Sequence, residues 1–223
     1  PVEILYKIAY DVIAKPILPR MKAMITPLNS GFGDPGGSIK ALLRAQAIFE
    51  QSPDRASLEL DATNAFGSIH RQAIFSELYK HPQLSRLWKI VHFLYSQPNP
   101  LFPFLFSLTL HPIYTSSVSE SSQPADLYPT AVLDDFSVIG KVENLLQVFD
   151  NFVPKARAIG LEINDKSTLL IKSNYPISPE LVKAIQQDRA PLRLQVGGSI
   201  NKLGSRFGER NNEDVLWLHS ELN

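Results

Sequence analysis

Two carboxylates stand side by side at Asp134 and Asp135, in the run Thr130-Ala-Val-Leu-Asp-Asp-Phe-Ser-Val-Ile-Gly140. An apolar, β-branched run stops on the pair and a second begins at once, the pattern of a hairpin with acids at its turn. Upstream, Leu58-Glu-Leu-Asp61-Ala-Thr-Asn-Ala-Phe66 is another strand-like run that ends on an aspartate. Strands that finish on carboxylates can set those groups side by side. A hard cation such as Mg²⁺ prefers carboxylate oxygens and keeps waters and substrate phosphates around it. Two such ions held together activate an attacking hydroxyl and stabilise a leaving pyrophosphate, which is the chemistry of nucleotidyl transfer. Read singly, each aspartate is better explained as a turn or helix cap.

Holding acids in fixed geometry requires rigid strands behind them. The sequence predicts strands at Ala56 to Leu60 and a hairpin of 130–133 with 136–139, followed by a helix from Val142 to about Pro154. In that helix Val142, Leu145, Leu146, Phe149 and Phe152 recur at helical spacing, and their apolar face reads as core. Further helices are expected in two short pieces over 3–25, at Ser38 to Glu50, at His70 to Tyr79 and from Pro82 to about Tyr95. A buried helix is expected over Leu101 to about Tyr114, and one begins at Ser178-Pro179-Glu180, with a hydroxyl cap and a first-turn proline. Thr115 to Pro129 is polar and reads as a loop. Short strands are expected at Leu161 to Asn164, Ser167 to Ile171 and Leu203 to Phe207, and a last helix at Asn212 to Leu222. The order implies an α+β fold, an antiparallel sheet with helices on one face.

Composition narrows the function. The 223 residues are 44% hydrophobic, enough for a real core, and 20% charged. Lys+Arg and Asp+Glu are both 22, so the formal net charge is zero, whereas a domain that grips nucleic acid usually carries a basic excess. Cysteine is absent, which removes disulfides, thiolate zinc sites and thiol nucleophiles. No apolar run reaches the ~18 residues of a membrane span, so no membrane partner is expected. The chain opens abruptly at Pro1-Val-Glu-Ile-Leu, as a piece of something longer would. Gly31-Phe-Gly33-Asp-Pro-Gly36 is a literal G-x-G-x-x-G, but it lacks the preceding strand that a dinucleotide fold needs. The five histidines show no ligand spacing, and no G-x-S-x-G elbow occurs.

Several blocks together resemble the reverse transcriptases of non-LTR (LINE-type) retrotransposons. Leu60-Asp61-Ala-Thr-Asn-Ala-Phe66 resembles their motif A, and Val132-Leu-Asp134-Asp135 resembles the Y-x-D-D box of motif C, with Val in the Tyr position. Gly160-Leu-Glu-Ile-Asn-Asp-Lys166 is similar to motif D, Leu203-Gly-Ser-Arg-Phe-Gly208 to motif E, and Leu28 to Gly37 to a pre-palm segment. Motif B departs from the pattern. Where Q-G-x-P is expected the chain reads Gln97-Pro98-Asn99-Pro100, or else the motif begins at Pro103, only 42 residues after Asp61. A hairpin and the Q-G loop then look deleted. The resemblance implies a polymerase palm over residues 56–210, a fingers remnant with pre-palm helices over 1–55 and the start of a thumb or a tail over 211–223.

It also implies site residues and partners. Asp61 and Asp134 would ligate two Mg²⁺ ions, for which Mn²⁺ could substitute, with Asp135 an outer contributor. Phe66 would be the steric gate that selects dNTPs, Lys166 would donate a proton to the leaving pyrophosphate, and Ala62 would line the substrate site. Asn64 would shape the turn after the strand, while Leu203 and Gly204 would grip the primer. The partners would be an RNA template, a DNA primer and dNTPs, in the nucleus, with oligomeric state left open. Core packing, the commoner fate of Phe, is the alternative for Phe66, and a solvated surface position explains Lys166 equally. Two rival readings stand beside the polymerase: a decayed, inactive palm with at most residual nucleic-acid binding, and a two-metal nuclease.

Overall fold

The computed structural model describes residues 12, 15–30, 35–95 and 103–209. The segments carrying Gly31-Phe-Gly33-Asp34, the Gln97 to Phe102 stretch, the expected helix over Asn212 to Leu222 and most of the N-terminal helical segment lie outside them.

The sheet follows from alternation along its strands. In β1 (Arg55–Leu60), Ala56, Leu58 and Leu60 are buried in the main core, and Ser57 and Glu59 take the opposite face. β1 pairs antiparallel with β3 (Asp135–Lys141), which pairs antiparallel with β2 (Tyr128–Val132). On the other side β1 pairs antiparallel with β4 (Thr168–Ile171), and β4 runs parallel to β5 (Arg193–Val196). The order is β2-β3-β1-β4-β5, and a separate hairpin joins β6 (Ser199–Lys202) to β7 (Ser205–Gly208).

Helices α1 (Leu18–Ile25) and α2 (Gly37–Glu50) precede β1. A one-turn α3 (Ala65–Ser68), then α4 (Arg71–Tyr79) and α5 (Ser85–Tyr95) follow it. A 3-10 turn at Pro82–Leu84 stands where a helix from Pro82 was expected. Helices α6 (Pro103–Ser119) and α7 (Val142–Ala158) bring their buried side chains to the same core as Leu58, Leu60, Phe136 and Val138. The opposite face is also covered: Ile139 and Leu170 meet Ala45 and Phe49 of α2 and Phe207 of β7, with the rings of Phe49 and Phe207 5.3 Å apart. Helices on one face only is therefore corrected. Ile139 and Leu170 are fully apolar on that side, and apolar strand residues demand a cover. The result is a mixed α+β fold with a mostly antiparallel sheet.

The loop expected from Thr115 starts later. Thr115 Oγ1 donates to the His111 carbonyl at 2.9 Å, Ser117 Oγ to Ile113 at 2.7 Å and Ser116 Oγ to Ile113 at 3.3 Å. These back-bonds satisfy the hydroxyls inside the helix. Asn151 and Lys155 of α7 then bond Ser117 O and Ser116 Oγ, so α6 persists to Ser119. The strand expected at Leu161 to Asn164 reduces to a single bridge between Ala62 and Ile163. Helix α8 (Pro179–Gln186) opens as its sequence implies, with Ser178 Oγ accepting from Leu181 N–H at 3.1 Å. Ser178→Ala is expected to cost about 1 kcal/mol in urea unfolding, and Ser178→Asp to keep the stability.

Candidate functional site

The acids meet because of one register. Leu60 and Phe136 are the last pair of the β1–β3 ladder, so Asp61, just past β1, and Asp135, the first residue of β3, stand at the same end of the sheet. Val132 pairs with Asp135, which leaves Leu133 and Asp134 as a two-residue turn. Leu133 sits at φ 58, a left-handed conformation costly for a bulky residue. The turn is held in place: Asn29 Oδ1 accepts from Leu133 N–H at 3.3 Å, and Tyr114 Oη donates to its carbonyl at 3.3 Å. Asn29 and Tyr114 are both buried, and Tyr114 stacks on Phe136 at 4.1 Å.

Asp61 is gripped by the segment that follows α7. Its N–H donates to Ser167 Oγ at 3.0 Å, and its carbonyl accepts from Asn164 N–H at 3.0 Å. Asn164 Nδ2 donates to Asp61 Oδ2 at 3.0 Å, and the Lys166 ammonium lies 4.0 Å from the same oxygen. Lys166 itself is largely in water, so this ion pair is weak. The segment can fold back because Gly160 adopts φ +91; a Cβ there would come within 2.6 Å of the Ser68 carbonyl oxygen.

Negative charge accumulates at the sheet end. Partial burial raises the Asp135 carboxyl above its ordinary range, and the charges of Asp134, Asp61 and Glu59 raise it further, against a lowering by Lys202. Full burial holds the Tyr114 hydroxyl well above its usual value, with Asp134 and Asp135 adding to the effect. Glu59 lies on the Asp61 face of β1, and Lys202 bonds its carboxylate at 3.0 Å and also bonds Ser137 Oγ.

The other expected site residues fall as follows. Phe66 of α3 is partly buried and stacks on Phe106 of α6 at 4.3 Å. Ala62 and Asp134 line one small hollow together with Tyr114 and Phe106. Asn64 takes a left-handed conformation, φ 46, at the turn before α3. Leu203 and Gly204 form the β6–β7 turn at φ 53 and 78, the paired left-handed geometry of a tight hairpin. Leu203 and Lys202 share a second hollow with Asp135 and Thr130. Glu59, Asn164, Ser167 and Lys202 were missed. Glu59 had a readable signal, since it lies two residues before Asp61 and so on the same strand face, and Asn164 stood in the block similar to motif D.

Among the described residues, no three His, Cys, Asp or Glu side chains are grouped so that they could hold a metal ion. Mg²⁺ is commonly bound through one or two carboxylates plus substrate phosphates and waters. The mutual repulsion of carboxylates around Asp135 is what a nearby cation would relieve. In the metal-free protein, the raised Asp135 carboxyl means that folding disfavours its charged form. Its stabilising contribution is present below the ordinary value of 3.8 and is lost as pH rises through the folded value. Asp135→Asn is therefore expected to raise stability at pH 7 by less than about 1 kcal/mol, water screening the repulsion. The gain should vanish below pH 3.8, as thermal unfolding across pH would measure.

No protein-family model matches the chain, and no curated protein matches it in sequence. Among solved structures it is similar to apo telomerase from Candida tropicalis truncated from its C-terminal domain. The TM-score is 0.51 and the identity 10%, over 71% of this chain and 40% of that one. This chain thus spans about two fifths of the telomerase chain. At that identity the likeness is one of fold alone.

Proposed function

We propose that this chain is the palm of a reverse transcriptase of the non-LTR retrotransposon type, adding dNTPs to a primer 3′-hydroxyl along an RNA template. The observation that supports the reading is the β1–β3 register, which ends at Leu60 and Phe136 and so leaves Asp61, Asp134 and Asp135 at one end of the sheet, in a fold similar to that of telomerase. In this reading residues 56–210 are the palm, 1–55 a fingers remnant and 211–223 the start of a thumb. Asp61, Asp134 and Asp135 would hold divalent ions, Mg²⁺ or Mn²⁺. When bound, the ions supply activation of the primer hydroxyl and neutralisation of the leaving pyrophosphate.

The remaining work falls to the chain. Asn164 fixes the rotamer of Asp61 through its 3.0 Å hydrogen bond. Lys166, next to that carboxylate and exposed, can swing to a triphosphate and donate a proton to the departing group. Phe66 places its ring beside the nucleotide ribose, with Phe106 behind it as support. Leu203 and Gly204, on the hairpin turn near Asp135, hold the primer end.

A second reading, a palm that binds without catalysing, draws on the same Asn164 and Lys166 contacts, which engage Asp61 Oδ2. Primer extension on an RNA template with Mg²⁺ separates the two. Incorporation by the wild type that is lost in Asp134→Asn supports the polymerase. Template–primer binding with incorporation no greater than that of the variant establishes the non-catalytic palm instead. Metal-dependent cleavage without incorporation would make it a nuclease.

A further inference from the structure

Helices α4 and α5 and the turn between them bury Ile74, Leu78, Leu84, Leu87 and Val91 in the main core. Beside that buried face lie two pairs of rings, each four residues apart: Phe75 and Tyr79 on α4, and Trp88 and His92 on α5. Residues at that spacing are neighbours on a helix surface. The pairs meet across the two helices. Phe75 stacks with Tyr79 at 6.2 Å and lies 5.2 Å from His92, and Trp88 meets Tyr79 edge-on at 5.2 Å. Tyr79 Oη and His92 Nδ1 are 3.4 Å apart. The row is open to water: Tyr79 is 42% exposed, and Phe93, next to His92, is 74% exposed. Arg86, Lys89 and Phe93 follow one another at spacings of three and four, so they form one outward stripe beside the rings, and all three are exposed.

We propose that this face binds single-stranded nucleic acid, with bases stacking on Tyr79 and Phe93 and phosphates meeting Arg86 and Lys89. Charge selects the partner. The chain as a whole has no net charge, yet residues 71–95 hold four Lys or Arg and a single acid, Glu77. The Lys80 ammonium lies 2.7 Å from the Glu77 carboxylate and His81 Nε2 lies 3.1 Å from it, so that acid is already compensated. Five of these 25 residues are Phe, Trp or Tyr, about twice the 9% share in the whole chain. Exposed rings beside cations suit a flexible polyanion that carries flat bases, because each base has a face to stack and each phosphate a charge to offer. An acidic peptide brings the charge without a series of flat rings. A duplex brings both, but its bases are already stacked on one another. The rings of α4 and α5 also hold each other in place, so little side-chain freedom is lost when a base lands on them. The face shares no residue with the carboxylate cluster and needs no divalent ion, so it stands or falls apart from the polymerase reading.

The test is fluorescence anisotropy of labelled oligo(dT) and oligo(U), each about 12 nucleotides long, titrated with the full chain in EDTA at low salt. Binding of either is expected, and the tighter one names the strand as DNA or RNA. Phe93→Ala should weaken binding at least about fivefold, the loss of one stacked base, and leave its salt dependence unchanged. Arg86→Gln/Lys89→Gln should weaken it at least about tenfold and flatten the log–log salt slope by about 1.4, the share of two phosphates on a single strand. All three positions are exposed, so the circular dichroism spectrum and Tm should hold. Asp61→Asn should bind as the wild type does. Absence of binding, unchanged binding in either surface variant, or loss in Asp61→Asn alone would overturn the site. A duplex of the same length bound as tightly would overturn its assignment to a single strand. Poly-glutamate bound more tightly than either oligonucleotide would reassign the face to an acidic protein segment. A dimer in sedimentation that Phe93→Ala abolishes would reassign it to a second copy of the chain.

Discussion

Asp61→Asn is expected to reduce primer extension by about 10³-fold, the equivalent of ~4 kcal/mol of transition-state stabilisation. The substitution is nearly isosteric. The backbone bonds to Ser167 and Asn164 remain, since they use the N–H and carbonyl of residue 61. What is lost is one negative charge in a cluster built from Asp61, Asp134, Asp135 and Glu59. If those charges serve a divalent ion, the loss falls on kcat, while template–primer affinity stays within about twofold. A purely structural aspartate would behave differently: the variant would lose stability and binding together. Removing a charge also relieves the repulsion at Asp135, so Tm should not fall. Extension within tenfold of the wild type would end the assignment of Asp61 to catalysis. The single variant Asn164→Ala checks the geometry. It frees Asp61 Oδ2 from its hydrogen bond and should lower kcat less than Asp61→Asn does, because the charge is kept and only its orientation is loosened.

How much of this was readable from the sequence depended on the range of the cause. Local periodicity carried β1, α2 and α7: Ala56, Leu58 and Leu60 alternate, and Val142, Leu145 and Phe149 recur at helical spacing. Ser178-Pro179-Glu180 announced a helix start through groups that act within one turn. Register is a longer-range matter. The hairpin was expected to place both Asp134 and Asp135 in its turn, whereas the turn is Leu133-Asp134 and Asp135 already belongs to β3. A one-residue difference changes the sheet face to which each carboxylate is assigned, and nothing in residues 130–140 alone specifies it. The turn is held instead by Asn29 and Tyr114, which reach the Leu133 backbone from 104 and 19 residues away. The parallel β4–β5 pair and the second covered face of the sheet were unreadable for the same reason. The polar Thr115 to Ser119 tail was misread because hydroxyl back-bonding makes Ser and Thr ambiguous between helix and loop.

Lys202→Met is expected to destabilise the fold by about 3–5 kcal/mol, the cost of breaking a buried ion pair by removing one partner. Lys202 and Glu59 are 143 residues apart in sequence and 3.0 Å apart in space, with side chains 7% and 16% exposed. The ammonium also bonds Ser137 on β3 and lies 4.8 Å from the centre of the Phe207 ring. It thus ties the β6–β7 hairpin to the two central strands at the point where the acids gather. Methionine fills a similar volume, so the loss is electrostatic: Glu59 would be left shielded from water beside Asp135 without its counter-charge. For a chain of this size the change amounts to a fall in Tm of roughly 6–20 °C. The double variant Glu59→Gln/Lys202→Met removes both charges and should recover most of the stability, because no unpaired ion remains. A double-mutant cycle in urea measures the coupling directly. A coupling under about 0.5 kcal/mol would mean that the pair is solvated like an ordinary surface bridge, and the hairpin would then owe its position to the packing of Phe207 on Phe49 and to the two hydrogen bonds between Gln46 and Gly208.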